Sequence, residues 1–197
     1  MLSIEDYRRI NKFKDYVHRY HFLNREYDAF RKLVCAALDE FFGFHHSLFG
    51  FLNYPRAKET SLQVLVYSMP EKTMERFFLS GILSDAAFRG DKDVVLFSDT
   101  ENFKKRTVYR DLLVPQGYSD FMVCYLPVDG RYVGYLVLFA NRTQKGFSSR
   151  DREIMEEIRS YLAVEYHNFL QIVQLNNTNQ LLISQSNHYP MGVVMMP

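Results

Sequence analysis

Apolar residues recur at helical spacing in two segments near the N-terminus. Ser3 and Asp6 have the spacing of a capping box, which predicts that a first helix of about five turns begins there. A second amphipathic stripe follows Asn24, a residue type that caps helices, and ends at Gly43. The two stripes comprise Ile4, Tyr7, Ile10, Phe13 and Val17, and then Phe30, Leu33, Val34, Ala37, Leu38 and Phe41.

Short apolar runs rich in aromatic and β-branched residues come next, and these predict strands. Runs 47–53 and 62–67 flank Tyr54-Pro55-Arg56 and are expected to pair antiparallel. A third run, 94–97, predicts a short strand.

Two helical segments are expected between and after these runs. Pro70 can occupy a helix start, and residues 71–83 are compatible with a helix. Another helical segment is predicted from 100 to 113, because Pro115 and Gly117 are typical of a helix end.

The clearest local signal is a hairpin formed by runs 121–128 and 132–140 around Asp129-Gly130. Asp-Gly tolerates the positive φ angles of a type I′ turn, which joins paired antiparallel strands. Both runs are apolar at odd and at even positions, so the sheet is expected to be covered on both faces.

The longest uninterrupted helical pattern starts after Phe147-Ser148-Ser149-Arg150-Asp151, which supplies a cap. From Arg152 to about Ser184 the chain contains neither Gly nor Pro. At ~1.5 Å per residue this helix would be roughly 50 Å long. One small domain cannot cover that length, so its far end is expected to project or to contact a partner.

Positions along this helix repeat in alternating three- and four-residue steps, which is the spacing of a coiled-coil seam. The pattern predicts a parallel homodimer joined through the first helix and the long C-terminal helix. Two alternatives stay open: the first half of the seam packs on the domain's own sheet, or the chain is a monomer whose helix frays after Leu175. The seam positions are Ile158, Leu162, Glu165, Phe169, Ile172, Asn176, Asn179 and Ile183, and the sequence leaves open whether the two asparagines lie between chains.

Composition and charge narrow the classes of function. The 197 residues suit one domain with extensions, and 47% hydrophobic with 24% charged residues is ordinary for a packed chain. The net charge of +1, from 24 basic and 23 acidic residues, provides no field that attracts nucleic acid or an anionic membrane. Because there is no signal-like N-terminus and no apolar run of ~20 residues, we expect a cytoplasmic location and no membrane partner.

Few residues form a pattern that carries chemistry. Cys35 and Cys124 lie in apolar segments and are expected to be reduced core thiols. His45-His46 begins a strand, where adjacent side chains point to opposite faces, so the pair is not expected to bind one metal ion. Lys104-Lys105-Arg106 is interpreted as a solvated helix face. No phosphate-binding loop, hydrolase elbow or metal-ligand spacing occurs, so the sequence indicates no particular cofactor and a chain without catalytic activity is expected.

The order of the predicted elements and three segments resemble the GAF family. The segments are 109–117 (YRDLLVPQG), 133–139 (VGYLVLF) and 147–154 (FSSRDREI). Over roughly residues 24 to 170 the chain looks like the sensory input domain found in LuxR-type helix-turn-helix regulators. The resemblance implies an α+β fold, with a central antiparallel sheet of five or six strands, helices on both faces and a long C-terminal helix.

The resemblance also implies a ligand pocket and a regulatory role in transcription. Such a pocket would suit a small aromatic or amphipathic effector. Two other functions stay open: a homodimerisation module without ligand, and a redox enzyme similar to methionine sulfoxide reductases, although the two cysteines lack the spacing of that family. The candidate pocket residues are Tyr67, Phe97, Tyr109, Tyr118, Tyr125 and Tyr135.

These predictions divide the chain into four parts. They are an N-terminal helix (1–23), a GAF-like sensory domain (24–150), a long C-terminal connector helix (151–185), and the start of a following module or tail (186–197). The apolar end of the tail resembles the opening strand of a PAS-like module. A DNA-binding output domain is expected outside these residues, because no segment has a helix-turn-helix pattern with a basic recognition helix.

Overall fold

The computed structural model describes residues 1–21, 27–51, 64–70, 77, 92–100, 102–143 and 146–188. Within these ranges the elements follow in the order α1 (Ile4–His21), α2 (Tyr27–Phe42), β1 (His46–Phe51), β2 (Val64–Tyr67), β3 (Val94–Leu96), β4 (Tyr118–Val128), β5 (Arg131–Asn141) and α3 (Ser149–His188). The predicted cap Asn24, the predicted helix 71–83 except Phe77, and the tail after 188 lie outside the described residues.

The strands form one antiparallel sheet in the order β2-β1-β5-β4-β3. This confirms the predicted α+β fold with a five-stranded sheet. The hairpin between β4 and β5 is also confirmed, because Asp129 and Gly130 have φ angles of 48° and 73° and thus both adopt the positive φ that a type I′ turn requires.

Each face of the sheet carries its own apolar cluster. The helical face packs against α2 and α3, through side chains such as Met122 and Leu138, and α1 packs in turn on these two helices. The opposite face, which we call the aromatic face, carries Phe121, Val123 and Val137 and packs against the segments that follow β2 and β3. Strands β4 and β5 are apolar at odd and at even positions because their side chains are buried on both faces of the sheet.

Helix α1 runs parallel to the start of α3. The predicted capping box is present: the Ser3 amide donates to the Asp6 carboxylate at 2.9 Å, and the Asp6 amide donates to the Ser3 hydroxyl at 3.1 Å. The same carboxylate accepts a bond from Arg150 Nε at 3.0 Å, and this contact is the main reason that the pKa of Asp6 lies well below its usual value. Further along, the Tyr161 hydroxyl donates to the Lys14 carbonyl at 2.8 Å.

The first half of the predicted coiled-coil seam lies inside the protomer. Ile158, Leu162 and Phe169 are 0%, 0% and 1% exposed, because they pack on the helical face of the sheet. The alternative in which these positions contact the domain's own sheet is therefore correct. Beyond them α3 stays helical, without fraying at Leu175, and residues 174–184 are exposed apart from the half-buried Asn176.

The predicted helical segment after Thr100 is a series of short turns and not one regular α-helix. Phe103–Lys105 and Val114–Gln116 form 3₁₀ turns, and Val108–Leu113 forms a wider π-helical turn. Pro115 has no N–H to continue an α-helical ladder, which explains the change in winding there. The segment ends at Gly117 with a φ of 81°, as the sequence predicts.

Candidate functional site

Five of the six candidate pocket residues belong to one cluster on the aromatic face. Tyr125 of β4 lies opposite Tyr135 of β5, and both side chains are buried. Phe97 directly follows β3, Tyr118 begins β4, and Tyr109 reaches the cluster from the π-helical turn. The structure therefore brings together residues that are up to 38 positions apart, from Phe97 to Tyr135.

Phe97 connects the rings of the segment after β3 to the rings on the sheet. Its ring stacks on Phe121, with centroids 4.4 Å apart and an interplanar angle of 19°. The ring of Phe103 is nearly perpendicular to that of Phe97, with centroids 5.7 Å apart, and Phe103 in turn contacts Tyr109 at 5.3 Å. A continuous row of aromatic rings thus joins the sheet to the segment after β3.

Tyr135 lies across the backbone of the neighbouring strand. It pairs with Gly50 of β1, and a Cβ atom on Gly50 would stand 2.4 Å from the tyrosine hydroxyl oxygen. Glycine at position 50 therefore leaves the space that the phenol ring occupies. Burial raises the pKa of Tyr135, so its hydroxyl stays protonated at neutral pH and can donate a hydrogen bond.

Tyr67 is separated from the other five candidates. Its half-buried side chain packs against the helical face, where burial and the nearby Asp39 carboxylate raise its pKa. The neighbouring strand residues Val64 and Val66 point to the aromatic face instead. The prediction that all six residues share one wall must therefore be corrected at Tyr67.

Sequence reasoning missed several members of the aromatic cluster. Phe77 touches both Phe121 and Phe139 edge-on, each with centroids 5.2 Å apart. His46 packs against Tyr118 at 5.4 Å, and its Nδ1 lies 2.6 Å from the Ser68 carbonyl oxygen, so Nδ1 carries the proton. The signal for Phe121 and Phe139 was their shared parity on β4 and β5, whereas nothing local marks Phe77 or His46.

Both cysteines are on the other side of the sheet. Cys35 of α2 and Cys124 of β4 are fully buried in the cluster on the helical face. Burial raises the pKa of each thiol to about 12, so the nucleophilic thiolate is a negligible fraction at neutral pH. These side chains behave as the core thiols that the sequence predicts.

A small cavity of about 150 Å³ lies where the end of α2 meets the start of α3. It is lined in part by Phe42, Phe44, Phe147 and Asp151. The sequence did not indicate it. Among the described residues, no group of three or more His, Cys, Asp or Glu side chains is arranged to hold a metal ion.

Charge and hydropathy add little to this site. Lys104 and Lys105 are exposed, in agreement with a solvated face, and the Lys104 ammonium lies 5.7 Å from the Phe103 ring centroid. Within the part of the chain that is described, none of the helices is both long and apolar enough to span a membrane.

No protein-family model and no curated protein matches the sequence. Several solved structures are similar to this chain in fold. The VqsR LBD domain from Pseudomonas aeruginosa is 12% identical with a TM-score of 0.54, and the match covers 79% of this chain and 94% of that one. The GAF domain of a phosphoenolpyruvate-protein phosphotransferase from Coxiella burnetii is 14% identical with a TM-score of 0.51, covering 84% and 96%.

The free methionine-R-sulfoxide reductase from Neisseria meningitidis is similar to the same degree, with 15% identity, a TM-score of 0.51, and coverage of 83% of this chain and 93% of that one. At these identities the likeness establishes the fold alone. The chain has the GAF fold, as the sequence resemblance implies.

Proposed function

We propose that this GAF-fold chain is a regulatory domain that senses a small molecule or a partner and passes a movement of α3 to an output domain. The observation that carries the proposal is the separation of two features by one sheet. The aromatic face carries five of the six candidate pocket residues in one packed cluster, and the helical face carries a helix that extends beyond the domain. A change on one face can thus be delivered outside the domain through the other.

The aromatic face favours a small aromatic or amphipathic effector. Its walls are rings and aliphatic side chains, and its polar atoms include the hydroxyls of Tyr118, Tyr125 and Tyr135. Apolar surfaces with a few placed polar groups are typical of small-molecule sites, in which the polar groups fix orientation.

The names of the neighbouring structures include a sensing role. Two carry the names LBD domain and GAF domain, and a third is a reductase, so the fold accommodates binding as well as catalysis. The buried, protonated thiols of Cys35 and Cys124 argue against the reductase alternative in this chain, because a thiol redox enzyme needs an accessible thiolate.

A thermal-shift screen tests the sensing proposal. Small aromatic and amphipathic metabolites are expected to raise the melting temperature, because a ligand at ~100 times its Kd adds about 2.7 kcal/mol to the free energy of unfolding. The shift should be smaller in Tyr135→Phe, which removes one hydroxyl from the aromatic face. Tyr67→Phe, on the helical face, is the matched control and should leave the shift unchanged. If no metabolite shifts the wild-type chain, the dimerisation module without ligand is the better hypothesis.

A parallel homodimer through α1 and α3 is the second part of the proposal. We place the seam at the exposed positions Leu175, Asn179 and Leu182, which are separated by four and three residues and of which Asn179 belongs to the predicted set. Both leucines are more than half exposed, at 64% and 58%. Asn176, by contrast, has its amide nitrogen buried within the protomer, so only Asn179 remains in a position to set the register between chains.

Replacement of Leu175 and Leu182 together by Glu is expected to convert the dimer to a monomer, because two charges would enter an apolar seam. Sedimentation equilibrium measures the change in mass. The control replaces Gln174 and Leu181 by Glu, which places the same two charges seven residues apart but one position off the seam. A monomeric wild-type chain, or equal dissociation in the control, would show that this seam is wrong.

A cytoplasmic transcriptional regulator of LuxR type is the setting that best fits these parts. In it the output domain that binds DNA would follow α3, and the domain described here would contact a small effector and a second copy of itself rather than nucleic acid or a membrane. The near-neutral net charge of +1 supports an arrangement in which the output domain, and not the domain described here, contacts DNA.

A further inference from the structure

Asp120 carries a carboxylate that is buried near the start of β4, at 2% exposure. It lies at an irregularity in the pairing of β4 with β5. Its Oδ1 accepts the Ser98 amide at 3.1 Å and the Phe121 amide at 2.8 Å. Burial raises the pKa of this carboxylate, whereas the backbone of Phe147 is close enough to lower it. A buried carboxylate is costly unless donors surround it, so these three segments are held together at one point.

Two neighbours of Asp120, Ser98 and Phe147, belong to functionally separate parts of the fold. Ser98 directly follows Phe97, the ring that connects Phe103 to the sheet residue Phe121. Phe147 stands two residues before the start of α3. Between Phe147 and the hairpin, Gly146 has a φ of 83°, and a Cβ there would lie 3.4 Å from Asp120 Oδ2. Glycine therefore allows this segment to approach the carboxylate closely.

A second contact connects the same two parts directly. Asp99 forms an ion pair with Arg152, which lies in the first turn of α3. Successive residues after Phe97 are thus tied to the start of α3, Ser98 through Asp120 and Asp99 through Arg152. The opposite end of β3 has its own tie to α3, the ion pair between Asp93 and Arg159.

We propose that Asp120 and the Asp99–Arg152 pair act as a latch that couples the position of Phe97 to the first turns of α3. The latch is the route by which the proposed sensing domain would move its connector helix, so its biological role rests on that function. Directional hydrogen bonds suit this task, because they break over a small displacement, whereas the apolar contacts on the helical face tolerate small shifts of the helix.

Hydrogen exchange of the full chain tests the latch without any ligand. Phe97→Leu should raise the exchange rate of amides 152–158 several-fold, relative to amides 162–170 of the same helix, which correct for a global loss of stability. In backgrounds carrying Asp120→Asn or Arg152→Gln this response should disappear. Asn keeps one oxygen for the Ser98 and Phe121 amides but places an NH2 group at the position of Oδ2, beside Gly146, and Gln cannot pair with Asp99 as a cation.

Arg159→Gln is the matched control, because Arg159 and Arg152 are both 24% exposed and both pair with an aspartate beside β3. The response to Phe97→Leu should persist in that background. An equal response in all backgrounds, or faster exchange at 97–100 without any at 152–158, would overturn the latch. If Asp120→Asn fails to fold, the comparison of the two arginine variants decides alone, and a failed ligand screen would leave this result unaffected.

Discussion

Phe121→Ala is expected to lower the free energy of unfolding by about 3–5 kcal/mol. The Phe121 side chain is fully buried, with Phe97 stacked on it at 4.4 Å and Phe77 nearly perpendicular to it at 5.2 Å. Truncation would remove these contacts and leave a cavity in the centre of the aromatic face. The chain has no Trp, so urea denaturation followed by far-UV circular dichroism is the suitable measurement.

Phe103→Ala provides the control for this prediction. Phe103 is only partly buried at the edge of the same cluster, so its truncation should cost clearly less than that of Phe121. An average substitution costs ~1 kcal/mol. If Phe121→Ala cost less than this, the cluster would be loosely packed and would not fix the position of the Phe97 ring.

Gly134→Ala is expected to cost about 1–3 kcal/mol through overpacking. A Cβ at this position would stand 2.9 Å from the Gly50 carbonyl oxygen and 3.0 Å from a ring carbon of Tyr166. The carbonyl belongs to the neighbouring strand and cannot move freely, so α3 or β1 must shift. Thermal and urea denaturation give the loss of stability.

The same substitution in a Tyr166→Leu background separates the two contacts. Leu removes the ring that faces Gly134 but leaves the Gly50 carbonyl in place, so the cost of Gly134→Ala should become smaller without vanishing. An unchanged cost would assign the whole effect to the strand, and no cost in either background would contradict the close approach of α3 to β5.

Local chemistry was sufficient to predict much of the fold. Asp129-Gly130 specified the turn between β4 and β5, because few residue pairs accept two positive φ angles. Ser3 and Asp6 specified the start of α1, since their side chains satisfy the first amides of the helix. In both cases residues that are adjacent or a few positions apart specify the local backbone conformation, so it can be predicted without knowledge of distant contacts.

Features that depend on distant contacts were harder to predict. The steps from Ile158 to Phe169 fit a seam between two chains as well as they fit a helix lying on its own sheet, because both environments select apolar residues at the same spacing. Likewise, Tyr67 lies on a strand whose two faces are both partly buried, so alternation along β2 did not reveal its face.

The candidate site shows the same division. Tyr125 and Tyr135 could be placed together because the hairpin fixes their register. Asp120 could not be recognised, since its donor Ser98 and its neighbour Phe147 are 22 and 27 residues away and no short motif connects them. Buried polar groups of this kind become visible only when the fold has assembled their partners.

The length of the exposed end of α3 also sets the direction in which any attached part would face. An α-helix turns by about 100° per residue, so one residue inserted between Asn179 and Leu182 would rotate whatever is attached beyond it by more than a quarter of a circle while moving it only ~1.5 Å along the axis. Seven inserted residues restore the original direction to within about 20°. The length of such a connector is therefore expected to vary among related chains in whole heptads, because other lengths would turn the attached part to a different side.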